Sequence, residues 1–268
     1  MKKQTLFVAL AFGVTSVFAQ DLTSKKGEAI LPEAGDWGLS VNANPFLNYA
    51  GNFIGGNGLN TAPTANFLTT NQTITGKYFV DEKTAYRGGI RLNFSSASTA
   101  TKVAAIPATT PATFVDDVTK VSGSNIGLTF GLEKRKGKTR LQGFYGAELG
   151  VMVGTAKTSN EYGNALSADN PIFRTAETKL GSIFGLGLRG FIGAEYFILP
   201  KMSIGAEFGW GLAYTRIGEG ESTVDSWDGT AVVSATTKTG KSSSFGLDTD
   251  NMNSVFGPAG TIRLGLHF

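Results

Sequence analysis

Over most of its length the chain repeats one pattern, an apolar side chain followed by a small or polar one. The last eleven residues show it plainly, with Ile262, Leu264, Leu266 and Phe268 on one face and Thr261, Arg263, Gly265 and His267 on the other. A period of two belongs to a β-strand, whose successive side chains point to opposite faces. The same alternation predicts strands over residues 37–47, 74–80, 85–94, 125–133, 140–153, 178–197 and 202–216, making eight with the terminal strand over 258–268. In each, one face is apolar and the other is rich in glycine, polar and charged residues.

Three of the gaps are short turns: Asp81-Glu82-Lys83-Thr84, Lys134-Arg135-Lys136-Gly137-Lys138 and Leu199-Pro200-Lys201. The other four are long, over 48–71, 95–123, 154–177 and 217–257, and rich in Gly, Asn, Ser and Thr. Short and long gaps alternate strictly, so both termini lie on the side of the short turns. A soluble β-sandwich would also alternate along its strands, but it gives no reason for this asymmetry of connections. A transmembrane barrel does. The expected fold is all-β, an eight-stranded antiparallel up-and-down transmembrane β-barrel over residues 37–268, with most segments near the roughly 9–11 residues a tilted membrane strand needs.

The aromatic residues on the apolar faces, Trp37, Tyr78, Tyr86, Phe94, Tyr145, Tyr196, Trp210, Tyr214 and Phe268, fall mostly toward strand ends. That placement suits the girdles that sit at the two membrane interfaces.

Composition sharpens the compartment. Met1-Lys2-Lys3, the mostly apolar stretch 6–18 and small residues at Val17 and Ala19 read as a cleaved signal peptide over residues 1–19, followed by a polar periplasmic lead-in over 20–36. Loss of Lys2 and Lys3 reduces the formal net charge from +3 to +1, so the basic balance gives no support to nucleic-acid binding. The chain has no cysteine, which excludes disulfides, thiolate metal sites, a cysteine nucleophile and lipoprotein attachment.

The inward faces carry Lys77, Arg87, Arg91, Arg140, Arg189 and Arg263 beside Glu133, Glu148, Glu195 and Glu207. Eight strands enclose a space that side chains fill, or that holds one small ligand. Charges confined there are expected to pair, because an unpaired buried ion is costly. The inward glycines leave room for the long charged side chains.

Other chemistry is weakly signalled. Gly185-Leu186-Gly187-Leu188-Arg189-Gly190 matches a dinucleotide-binding pattern but sits inside a strand with no following helix. The one histidine, His267, faces inward beside the terminus, where a polar lumen residue is the expected role rather than a catalytic base. Asp248, Asp250 and Asn251 offer oxygen ligands for a hard cation, although an ordinary polar turn explains them and no bidentate Glu follows. The sequence calls for no cofactor and for no catalytic residue.

On these residues, and on the ending Ile262-x-Leu264-x-Leu266-x-Phe268, the chain resembles the small outer-membrane barrels of the OmpA, OmpX and OmpW type, without a periplasmic domain. The resemblance implies that this ending is the insertion signal read by the barrel-assembly machinery. It also implies contact with outer-membrane lipids including lipopolysaccharide, and service as a structural or binding component or as an accessory subunit of an outer-membrane complex. The alternative it implies is a narrow channel for small or hydrophobic solutes, as in OmpW-type proteins.

Overall fold

The structure is a computed structural model that describes residues 22–58, 73–248 and 254–268. The segment read as a signal peptide, residues 1–19, lies outside these. The elements in order are β1 (Trp37–Asn42), α1 (Asn44–Ile54), β2 (Thr73–Asp81), β3 (Thr84–Ala104), β4 (Phe114–Lys136), β5 (Leu141–Glu161), β6 (Arg174–Lys179), β7 (Ile183–Leu199), β8 (Met202–Ile217), β9 (Glu221–Trp227), β10 (Val232–Lys238), β11 (Ser242–Leu247) and β12 (Gly260–His267).

Eight of these strands close a ring in the order β1, β2, β3, β4, β5, β7, β8, β12 and back to β1, every neighbour antiparallel. Closure rests on the terminal strand. Leu266 and Leu264 lie opposite Leu39 and Val41, and Trp37 and Phe268 exchange two backbone hydrogen bonds of 2.8 Å. A closed ring leaves no unpaired edge to be satisfied by solvent or by another chain.

Alternation sorts the side chains by face. Leu128, Phe130, Leu149, Leu188, Ile192, Trp210 and Leu212 stand exposed on the outside, whereas Arg87, Glu133, Glu148, Arg189 and Glu207 are buried inside. The outward positions over 86–94, 126–132, 141–153, 184–198, 204–214 and 262–266 carry no charge. The aromatic residues expected in girdles all point outward, and Trp37 and Tyr78 meet with ring centroids 5.0 Å apart. An antiparallel eight-stranded ring with an apolar belt outside and polar groups inside is the architecture of a small outer-membrane β-barrel.

Three features depart from the sequence expectation. The first strand stops at Asn42 instead of reaching 47, and α1 follows with a proline in its first turn. Proline there removes no needed donor and has the helical φ, and Phe46, Leu47, Ala50, Phe53 and Ile54 recur at helical spacing.

The second departure is at the loop end, where the expected loops are largely sheet. β3 and β4 stay paired out to Ala104 and Phe114, β5 runs on to Glu161, and β6, β9 and β10 extend this sheet. β11 takes over the edge of β8 from Leu212 upward, above the point where β12 stops. β10, β11 and the upper part of β3 are exposed on both faces, and β6 and β9 are largely half-buried on both. Like surroundings on the two faces remove the apolar and polar alternation, so only the Thr, Ser and Val content marks them as strand.

Third, the strand expected over 178–197 is two elements. β6 belongs to the loop-end sheet and β7 to the ring. The chain turns between them at Gly181, where a Cβ would lie 2.0 Å from the carbonyl oxygen of Gly218.

At the turn end the lead-in folds under the ring. Ile30 is buried, the Lys201 amide donates to its carbonyl at 3.0 Å, and the Gly35 amide donates to Phe79 O at 2.8 Å. Lys201 Nζ also pairs with the Asp36 carboxylate at 2.8 Å. Burial pushes that carboxyl up, but the hydrogen bonds from Lys201 and the Glu33 amide, together with the Lys201 charge, outweigh it and hold Asp36 below its ordinary value.

A depressed folded-state pKa gives stability that is present above the unfolded value of about 3.9 and lost as pH falls through the lower folded value. Protease protection of the lead-in is therefore expected to persist at pH 5 and to fade below about pH 4. Limited proteolysis across that range measures it, and Asp36→Asn is expected to remove the acid dependence.

Candidate functional site: the lumen

The charged lumen residues are spaced by register. Across the ladder most of the long side chains face a glycine: Lys77 faces Gly38, Arg87 and Glu148 face Gly131, Glu133 faces Gly146, Glu207 faces Gly193, Arg189 faces Gly211, and Glu195 and Arg263 face Gly205. The room is fully used. A Cβ at Gly131 would lie 2.6 Å from the Cβ of Glu148, and one at Gly209 would lie 2.5 Å from Arg189 Nε.

In the space so cleared the charges form one connected cluster. Glu207 is its centre, with Arg87 at 2.7 Å, Arg189 at 3.2 Å and Arg263 at 3.3 Å. Glu148 bridges Arg189 at 2.8 Å and Arg87 at 3.3 Å. Nearer the turn end, Glu133 holds Lys77 at 3.0 Å and Arg135 at 2.9 Å, and Arg135 reaches Glu195 at 2.6 Å. Two aromatic rings complete the packing: Arg87 lies 4.1 Å over Phe191 and Lys77 lies 4.9 Å over Phe144.

One expected member is elsewhere. Arg140 lies at the turn before β5, where its guanidinium donates to the carbonyls of Phe197 and Ile198 at 3.2 and 3.1 Å. Arg135 takes the inward place because β4 runs to Lys136, so the parity that turns Glu133 inward continues one step further. The signal was present in the sequence as an arginine two residues after an inward glutamate; reading the cationic run as a turn hid it.

Below the cluster an aromatic floor closes the turn end. Phe79 and Phe197 are fully buried and each packs 5.4 Å from the His267 ring. Ser203 Oγ donates to Glu195 Oε1 at 2.5 Å, and both lie 3.4 Å from His267 Nε2. These residue types resemble a catalytic triad, but the geometry differs. In a triad the carboxylate orients the imidazole through the ring nitrogen opposite the nucleophile. Here the carboxylate and the hydroxyl meet the same nitrogen, and the hydroxyl is already given to the carboxylate. With all three groups buried beneath Phe79 and Phe197, the arrangement is a structural contact.

Above the cluster a short segment dips into the lumen. Val255 and Phe256 are buried there against Met152, Ile183 and Ala213. Their floor is glycine: a Cβ at Gly150, Gly187 or Gly211 would lie within 3.0 Å of the Phe256 ring, and one at Gly185 would lie 2.8 Å from Val255. Gly185 and Gly187, from the dinucleotide-like pattern, thus serve as packing surface within β7.

Asp248 fixes the segment, accepting hydrogen bonds from Ser254 Oγ at 3.0 Å, the Val255 amide at 3.2 Å and the Phe256 amide at 2.9 Å. Arg91 adds a bond to the Ser254 carbonyl. As a cation ligand Asp248 is therefore a poor fit, its oxygens being turned to donors; Asp250 and Asn251 lie outside the described residues. Among the described residues no group of three acidic or histidine side chains is arranged to hold a metal. The plug's sign in the sequence is an apolar pair, Val255-Phe256, in an otherwise polar loop, matched by the inward glycines Gly150, Gly185 and Gly187, which face no charged side chain across the ladder.

The chain matches no protein-family model and no curated protein. Among solved structures it aligns with the outer membrane protein OprG from Pseudomonas aeruginosa at 15% identity, covering 89% of this chain and 98% of that one, with a TM-score of 0.33.

Replacing Asp248 by Ala removes three acceptor contacts and leaves two buried amides unpaired, at a cost of about 2–4 kcal/mol to the docked plug. The expected outcome is faster hydrogen exchange at Val255 and Phe256, with unchanged exchange in β4 and β5. Equal protection in both proteins would show that the glycine floor alone holds the plug.

Proposed function

We propose that the chain is a non-enzymatic barrel of the bacterial outer membrane, with its termini and short turns in the periplasm and the loop-end sheet outside. Its lumen is closed, and its work is done by its outer surfaces, as a structural or binding component or an accessory subunit of an outer-membrane complex. The observation that carries this reading is the stacking of three closures along one axis: the Phe79, Phe197 and His267 floor, the paired charges around Glu207, and the Val255-Phe256 plug. A solute path would have to break all three.

The outward belt supports the membrane placement, since charge on a lipid-facing position costs about 2–4 kcal/mol at the midplane. The exposed row Ile262, Leu264, Leu266 and Phe268 faces outward, toward the assembly machinery and then lipid. In planar bilayers the folded protein is expected to give no steady conductance; a large, stable single-molecule conductance would overturn the closed-lumen reading.

A second reading, lateral passage of small hydrophobic solutes, is favoured by one observation. The wall changes strand there: β12 pairs with β8 only as far as Phe208 and β11 takes over from Leu212, while β1 gives way after Asn42 to α1, whose Phe53 and Ile54 are exposed. Accumulation of a small hydrophobic dye in proteoliposomes, without ion conductance, would select it over a wholly closed barrel.

A further inference from the structure

In the turn-end half of the belt, one register row carries Leu39, Phe130, Leu149 and Leu188 outward on β1, β4, β5 and β7. On the two strands between β1 and β4 the same row is glycine, with Gly76 on β2 facing Gly88 on β3. The result is a depression of about 490 Å³ in the outer wall, floored by these glycines and rimmed by Trp37, Tyr78, Tyr86 and Phe130.

Unlike the lumen glycines, these two make room for nothing in their own chain. A Cβ at Gly76 would lie 3.9 Å from its nearest neighbour, the Gly88 carbonyl oxygen, and one at Gly88 would lie 3.7 Å from the Thr129 carbonyl oxygen. Those are ordinary contact distances, so a side chain would fit, and glycine weakens a strand interior. In a wall that faces lipid, small residues let a second protein surface come close.

The knob that fits this notch stands on its own rim. Phe130 is 65% exposed, and its ring is stacked on Tyr86 with centroids 6.3 Å apart, so it is held in place before any partner arrives. It is also the register partner of Gly88. Two copies inserted in one membrane point the same way, so a two-fold axis relating them runs along the membrane normal. An axis passing between β3 and β4 sets Phe130 of each copy against Gly88 of the other, an isologous contact. Strand tilt of about 35–45° offsets the two register partners by about 3 Å along the normal. That is less than the length of a phenylalanine side chain.

The patch has the extent such a contact needs. Its four aromatic side chains, 37–65% exposed, present roughly 400 Å². Leu39, Ile90, Leu128 and Leu132, all exposed around them, bring it close to the about 800 Å² that each partner of a stable complex buries.

We infer that the chain forms a two-fold dimer in the membrane, in which Phe130 of each copy fills the Gly76–Gly88 notch of the other. The inference rests on the membrane placement proposed above and names a second copy as the partner of the outer wall.

Single-molecule photobleaching in phospholipid vesicles tests it, over a range of protein-to-lipid ratios. The label sits on Gly240→Cys, between β10 and β11 with open space around it, in a chain that has no other cysteine. Two-step bleaching is expected to dominate as the ratio rises. Phe130→Ala raises the dissociation constant about ten-fold, and Gly88→Leu, which fills the notch, abolishes the dimer. Gly190→Leu is the control: Gly190 also faces outward, with the nearest atom 4.0 Å from a Cβ there, but it lies on β7, away from the axis, and its variant dimerises like the parent. Folding of each variant is read from the mobility difference between unheated and boiled samples on a detergent gel.

Single-step bleaching of the inserted, folded chain at every ratio would overturn the inference and leave the notch to lipid chains. A dimer undiminished in both Phe130→Ala and Gly88→Leu would overturn it as well, because another surface would then hold the two copies. A chain that stays folded in water and does not insert refutes the membrane placement itself, whereas insertion without dimers refutes the dimer alone.

Discussion

Everything inside this barrel depends on the pairing of Glu207 with Arg87, Arg189 and Arg263. Ions confined in a narrow space and left without partners would cost several kcal/mol each, so the interior has to be solved as a set. The ladder does this by placing a glycine across from most of the charged side chains, which gives each one the width to reach a partner on another strand. Phe191 and Phe144 then lie against the cationic groups of Arg87 and Lys77, so the cluster is buried as well as paired. The inward surface is therefore a packed polar core, and the apolar surface that would be the core of a soluble protein faces outward.

From that inversion the rest follows. With a charged interior, the chain can be stable only if its outer wall meets an apolar medium and its backbone edge is closed, which is the role of the Trp37 to Phe268 junction. The aromatic floor and the Val255-Phe256 plug cover the two ends of the cluster. Beyond the plug the wall continues as the loop-end sheet of β3 to β6, β9 and β10.

The sequence made the ring legible wherever the two faces meet different surroundings. The inward charges and the outward girdle, from Trp37 and Tyr78 to Trp210 and Tyr214, follow from parity once the strands are placed. Legibility failed where the surroundings are alike or where parity was not followed through. Above the belt the two faces are alike, half-buried in most of β6 and β9 and exposed in β10 and β11, so these strands leave no alternation to read. α1 was hidden because Phe46 and Leu47 fit the end of a strand as readily as a helical stripe. Arg135 and Arg140 exchanged places because a run of cations looks like a turn from its first residue, while β4 in fact continues through three of them, Lys134, Arg135 and Lys136. The plug depends on a contact between residues about a hundred positions apart, Phe256 on Gly150, which no local pattern announces.

The central claim is that the lumen is held by mutual pairing of its charges. A double-mutant cycle on Arg87 and Glu207, with unfolding by urea measured in lipid vesicles, tests it most directly. Pairing of this kind predicts that the two substitutions to Ala are strongly non-additive, with a coupling of about 1.5–3 kcal/mol. Additivity within about 0.5 kcal/mol would contradict it, because the two side chains would then act as independent polar fillers of a space held together by something else.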